Sequence, residues 1–142
     1  MKKQKIVTTL LRVVMGFIFL WAFLDKTFGL GFATTAEKAW INGGSPTTGF
    51  LSSLAGGPFV EIFRSLAGVS LVDWLFMLGL LFAGLTLLLN KFVKWGCLAG
   101  SLMFLLMYLS LLPPENNPII DEHIVYILVL ILVALASKDR PH

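Results

Sequence analysis

Asp121, Glu122 and His123 stand together in "PPENNPIIDEHIVYIL", residues 113 to 128, where a polar loop gives way to an apolar run. An imidazole is the side chain whose ordinary pKa, about 6.5, suits it to carry protons near neutral pH. Tyr126 follows three residues later, on roughly the same face of a helix, and its phenol can hold a carbonyl oxygen. Asp121 or Glu122 can orient the imidazole or lead protons to water. The chemistry these types offer is proton transfer at the edge of an apolar medium, with His123, Asp121 and Tyr126 as the candidate catalytic set. A structural reading competes with it. His123 falls about five residues into its helix, roughly 7 Å from the start, where a wetted imidazole can simply pair with Asp25 or Glu61.

The medium is set by composition. Hydrophobic residues make up 57% of the 142, charged residues only 13%, and mean hydropathy is +0.87. An ordinary soluble domain is about a quarter charged. Four apolar runs approach the roughly 20 residues that a helix needs to cross a bilayer core: 6–24, 72–89, 92–112 and 119–136. Asp25-Lys26, Asn90-Lys91 and the stretch from Pro113 to Pro118 separate them. The first run follows Lys2, Lys3 and Lys5 as a secretory signal would, but it exceeds the roughly 7 to 15 residues of a signal's apolar region and is expected to be a retained helix.

Charge then orients the chain. With the N-terminus cytoplasmic, that side collects Lys2, Lys3, Lys5, Arg12, Lys91, Lys94, Lys138 and Arg140, leaving Lys26, Lys38 and Arg64 outside. Four crossings return the C-terminus to the cytoplasm. Most acids sort the other way, so the formal net charge of +3 hides a basic inner face and an acidic outer one. Nothing in this pattern points to nucleic acid.

Between the first two crossings, residues 25–71 form a segment too long for a passive turn. Gly43-Gly44 and Gly56-Gly57-Pro58 break it. After Pro58, Phe59, Ile62, Phe63 and Leu66 recur at helical spacing opposite Glu61, Arg64 and Ser65, which predicts a short amphipathic helix at the interface. Gly68 is expected to end it and Ser70 to cap the next helix. Trp40 is expected to anchor this cover at headgroup depth. Gly96 with Gly100 and Gly79 with Ala83 are small-residue pairs suited to close helix packing. Asn117-Pro118 reads as cap and first residue of the last helix, with Asp121 and Glu122 near its positive end. The fold expected is an all-α integral membrane protein, one domain over residues 1–142: a four-transmembrane-helix bundle with an interfacial amphipathic helix in its first outer loop.

The segments "LRVVMGFIFLWAFLDKTFGLGFATTAEKAWINGGSPTTGFL" and "LLPPENNPIIDEHIVYILVL" resemble the DoxX/DoxD family of small prokaryotic four-helix membrane proteins, over about residues 11 to 135. The resemblance implies a prokaryotic plasma (inner) membrane and membrane-associated redox work, since DoxD is named as a subunit of a thiosulfate:quinone oxidoreductase. Fold-level likeness argues for architecture more than for a reaction.

The residues themselves narrow the redox options. The single cysteine, Cys97, cannot cycle as an intramolecular dithiol and is expected to fill the core. Of the two histidines, His142 is the last residue, so haem would need His123 with Met15, Met77, Met103 or Met107, and methionine is more commonly a core filler. Asp121 and His123, two apart, would point about 200° from each other on a helix, which disfavours a shared metal. No phosphate-binding loop for flavin or nicotinamide is visible. A quinone fits best, with an apolar slot for ring and tail beside groups for its carbonyls and protons.

Asp25, Lys26, Lys38, Trp40, Glu61, Arg64 and Glu122 are the substrate-binding candidates around that mouth. Asp25 can meet His123 across it, and Lys38, Glu61 and Arg64 arrive from the cover. Such a mixed-charge box either binds an oxyanion such as thiosulfate or pins the cover, and an acidic outer face favours pinning. Arg12, about six residues or roughly 9 Å inside the first run, either snorkels to the cytoplasmic surface or faces a polar interior. The leading expectation is a quinone-linked oxidoreductase component, working with a partner redox subunit or as a homo-oligomer in the lipid bilayer. The alternatives are a non-catalytic scaffold that docks a redox partner and, with no internal repeat visible, a small-solute transporter.

Overall fold

The structure is a computed structural model and describes residues 2–54, 56–112 and 119–137. All regular structure among them is helical. In chain order the elements are α1 (Lys2–Phe28), two 3-10 turns (Ala36–Lys38 and Trp40–Asn42), α2 (Thr48–Ser52), α3 (Val60–Arg64), α4 (Ser70–Leu89), α5 (Val93–Ser110) and α6 (Glu122–Ala136).

Helices α1, α4 and α5, of 27, 20 and 18 residues, are long and apolar enough to cross a membrane. Helix α6 is equally apolar but has 15 residues, about 22 Å of rise against a hydrocarbon core of about 30 Å. The four pack as a ring: α1 lies against α4 and α6, and α5 against α4 and α6. Phe19, Met77, Leu87, Leu130 and Val133 fill the centre, fully buried. Outside that seam the helices remain apolar. Phe17, Leu75, Leu102 and Leu128 stand exposed, the all-round hydrophobicity of helices whose outer solvent is lipid.

Small residues set the spacing within the ring. A Cβ at Gly96 would overlap the Thr86 hydroxyl of α4, and one at Gly100 would crowd the Phe19 ring and Leu130. Gly79 lies against the Met103 sulfur, and Ala83 is fully buried. Both expected pairs therefore sit at helix contacts. A further site, Gly84 against the Leu20 backbone, brings α4 and α1 together. Cys97 is a free, buried thiol in this core.

The helix ends differ from those read off hydropathy, because hydropathy marks the greasy part of a helix and hydrogen bonds decide where it stops. Helix α1 continues past Leu24, so Asp25 and Lys26 belong to its last turns. It closes at Gly29, whose φ of +63° lets its N–H return to the Asp25 carbonyl at 2.7 Å, the left-handed end that glycine adopts freely. Helix α4 begins with Ser70 inside it and Val69 in the capping position, without a side-chain cap. Helix α5 runs from 93 to 110 rather than 92 to 112, with Phe92 left-handed before it. Helix α6 starts at Glu122, not at 119, because Asp121 is its N-cap and accepts the His123 N–H at 2.9 Å. The expected Asn117-Pro118 start lies outside the described residues.

The cover, too, is more finely divided than its pattern suggested. The amphipathic stretch after Pro58 yields only the five residues of α3, ending at Arg64 before Gly68. Two 3-10 turns and α2 precede it, none marked by periodicity, since elements of three to five residues complete less than two turns.

Candidate functional site

At one end of the ring two polar clusters lie near the helix ends, and they are built differently. The first holds the cover. Asp25 is 1% exposed, and its carboxylate accepts from the backbone N–H groups of Phe32 at 3.2 Å, Ala33 at 2.7 Å and Thr34 at 3.0 Å. Asp73, in the first turn of α4, is buried as well. It accepts from Ser45 Oγ at 2.8 and 2.9 Å, from Thr47 Oγ1 at 2.6 Å and from the Thr47 N–H at 3.3 Å. Thr48 Oγ1 donates to Ser45 Oγ at 2.6 Å and accepts the Gly68 N–H at 3.0 Å, joining the middle of the cover and its C-terminal end to one carboxylate. Ion-dipole bonds of this kind are what make a buried carboxylate tolerable.

The other cover candidates mostly serve the same end. Lys26 Nζ donates to the Pro46 carbonyl at 3.4 Å and lies 5.8 Å from the centre of the Phe76 ring. Arg64 donates through Nε (3.1 Å) and Nη2 to the Leu54 carbonyl. Trp40 meets Trp74 of α4 edge-on at 4.7 Å and packs on the core. Lys38 and Glu61 are exposed. The structure does not gather these groups into a mixed-charge box. Asp25 turns to the amides of residues 32–34 instead of the imidazole, because the chain folds back over the end of α1 and delivers three donors at once.

The second cluster is the mouth around His123. Nδ1 lies 2.8 Å from Asp121 Oδ2, and both side chains are 12% exposed. The i,i+2 spacing that would separate them on a helix does not apply, since Asp121 is extended and outside α6. One carboxylate thus accepts from the His123 backbone N–H and meets its ring at Nδ1, and the Nδ1 contact leaves Nε2 as the second face of the imidazole. Phe104 of α5 backs this ring, with centroids 5.9 Å apart, and also meets Tyr126 at 5.2 Å and Phe19 at 5.1 Å. An aromatic column therefore runs from the bundle centre to the imidazole. Glu122 is exposed in the first turn of α6. No hydrogen bond of the Tyr126 hydroxyl occurs among the described residues.

Arg12 belongs to the opposite end of the ring and to neither cluster. Its Nη1 donates to the Leu87 carbonyl in the last turn of α4, where helix carbonyls lack intrahelical partners and the dipole favours a cation. It reaches across to a neighbouring helix end.

Comparison with protein-family models, with curated proteins and with solved structures finds no match. The site is therefore read from its own chemistry.

Three residues of these clusters were not singled out in the sequence. Asp73 was visible as an acid entering an apolar run, but its Ser45 and Thr47 partners are more than 25 positions away. Phe104 looks like any core aromatic. Tyr108, whose hydroxyl donates to the Ile119 carbonyl, carried no local sign of that bond. Among the described residues, no three or more His, Cys, Asp or Glu side chains gather as a metal site would require.

Proposed function

We propose that this chain is a membrane component of a quinone-linked oxidoreductase system and that the His123 mouth is where it meets the quinone. What carries the reading is the 2.8 Å contact between His123 Nδ1 and Asp121, made beside the rings of Phe104 and Tyr126. A bound quinone supplies two-electron, two-proton chemistry at its carbonyl oxygens. The polar set fits such a group, with an imidazole nitrogen for a quinol hydroxyl, the Tyr126 hydroxyl for a carbonyl oxygen and aromatic walls for a flat ring.

In this reading Asp121 fixes the imidazole and favours a proton on Nδ1, which leaves Nε2 to accept a hydrogen bond, and then the proton, from a quinol hydroxyl. Tyr126, one turn on, offers a second hydroxyl. The partial exposure of Asp121 gives protons a way to water. Electrons come from a partner subunit or a second copy.

The membrane placement belongs to the same proposal. Helix α6 is taken as a fourth, short crossing that completes the bundle, with both chain ends on the cytoplasmic side of a prokaryotic plasma membrane and the mouth outside, as the lysine and arginine distribution favours. A helix of this length is accommodated by local bilayer thinning or by flanking residues. The cover is taken to lie at the interface. Phe32, Ile41, Phe59 and Ile62 are exposed along it, as an interfacial segment needs. The likeness to the DoxX/DoxD family supports the same assignment.

Native mass spectrometry with lipid and quinone extraction, on the purified protein and His123→Ala, tests the reading. Stoichiometric quinone in the first and none in the second is expected. No quinone in either, with both folded, would leave the scaffold reading. That second reading draws on the cover, where Asp25, Asp73 and Arg64 are all committed to holding the segment and leave its apolar outer residues free for a redox partner.

A further inference from the structure

Helix α1 is longer than the helices it packs against. Gly84 lies against Leu20, and Gly16 against Leu87 and Leu88, an antiparallel register that brings Leu89, the end of α4, to the level of Met15. Phe19 and Leu130 meet at Gly100, so α6, ending six residues later at Ala136, stops near the level of Val13. Arg12 reaches back to the Leu87 carbonyl. Before it, Lys2 to Leu10 carry the helix about 13 Å further, and all of them except Thr8 are exposed.

This extension has two faces. Descending from buried Met15 and Phe19 by helical spacing leads to Arg12, Thr8, Lys5 and Gln4, so the face that meets the bundle higher up turns polar and basic below it. The opposite face stays apolar, with Val14, Leu10, Val7 and Ile6 exposed in line with Phe17. Such a segment lies at lipid depth with its basic side toward the headgroups. Lys91, exposed in the turn between α4 and α5, stands at the same end. The acids among the described residues, Asp25, Glu37, Glu61, Asp73, Asp121 and Glu122, all belong to the mouth or its cover. Asp139, outside the described residues, is flanked in sequence by Lys138 and Arg140. The charge at this end calls for an anion, and the apolar flank beside it calls for acyl chains.

We infer that the basic face of the α1 extension, with Lys5, Arg12 and Lys91, is a docking surface for the phosphate of an anionic phospholipid. Lys5 and Arg12 stand two turns apart on one face, within the span of their long side chains. Arg12 uses Nη1 on the Leu87 carbonyl, and a guanidinium has further donors for a phosphate oxygen. The inference rests on the bilayer placement in the proposed function and not on its quinone.

Native mass spectrometry of the full-length protein in detergent, with phosphatidylglycerol or phosphatidylcholine added at equal concentration, tests it. Phosphatidylglycerol is expected to be retained in preference to phosphatidylcholine. Lys5→Gln and Lys91→Gln, at exposed positions that leave the packing untouched, should each weaken that retention about fivefold, the scale of one cation at an anionic lipid surface. Lys38→Gln, in the cover, should leave it unchanged. Equal retention of the two lipids by the unaltered protein overturns the site, as does a loss in Lys38→Gln as large as in Lys5→Gln. Unchanged retention when Lys5→Gln and Lys91→Gln are combined overturns it too, and leaves the basic face to an acidic protein or a second copy. Lipid preference in a protein that retains no added ubiquinone upholds this site while the quinone reading fails, and ubiquinone retained without lipid preference does the reverse.

Discussion

The Asp25/Asp73 anchors and the His123/Asp121 pair both set an acid at a helix end, and they differ in what is left over. At the anchors every bond points inward. Asp25 takes three backbone donors, Asp73 takes two hydroxyls and an amide, and the product is a cover fixed to α1 and α4. At the mouth, Asp121 also makes two contacts, one with the His123 N–H and one with its ring, yet the imidazole it holds keeps a second nitrogen. Saturated polar groups stabilise, and a group held on one side, with no second partner among the described residues, is equipped to bind or transfer. Burial of an acid alone does not separate the two cases; the partner count does.

The comparison breaks most readily at Asp25. Replacing it with Ala strands three amides at once, and the expected loss is about 3 kcal/mol, read from denaturant unfolding in detergent micelles. A change below about 1 kcal/mol would mean that water or lipid headgroups satisfy those amides and that Asp25 is no anchor. Asp73→Ala should cost about 2 kcal/mol, since Ser45 and Thr47 can turn to water near the surface. Faster hydrogen exchange at Thr47 and Gly68, with the helix cores unchanged, identifies the release as local.

Arg12→Leu is a smaller perturbation, expected to cost about 1 kcal/mol because it uncaps one carbonyl at the end of α4. It should leave the cover's exchange rates as they were. His123→Gln is expected to move stability least, within about 0.5 kcal/mol, because a part-exposed pair with Asp121 contributes little to folding. It should still lower quinone retention at least about tenfold if Nε2 is the binding atom. Large stability loss in His123→Gln with normal retention would reverse the two regions' roles.

Some of this was legible without coordinates and some was not. Lipid as solvent, the apolar helices, and the close contacts at Gly96 and Gly100 follow from composition and spacing, because burial in an apolar medium acts on every residue of a run. The helix ends were less legible. Gly29 ends α1 through its backbone conformation and Asp121 starts α6 through its side chain, and neither event changes hydropathy. The short elements of the cover carry too few residues for a period to show.

What the sequence by itself determined is which residues can do chemistry, and that they lie where apolar helices meet polar loops. Which of them meet was decided only in three dimensions. Asp25 faces amides rather than His123 because residues 29–34 turn back over α1. Asp121 reaches His123 because it stands just outside α6, where helical spacing no longer separates neighbours two apart. Periodicity governs side chains on a shared helix, whereas a capping residue and a returning loop obey the path of the chain, and that path is fixed by contacts far apart in sequence.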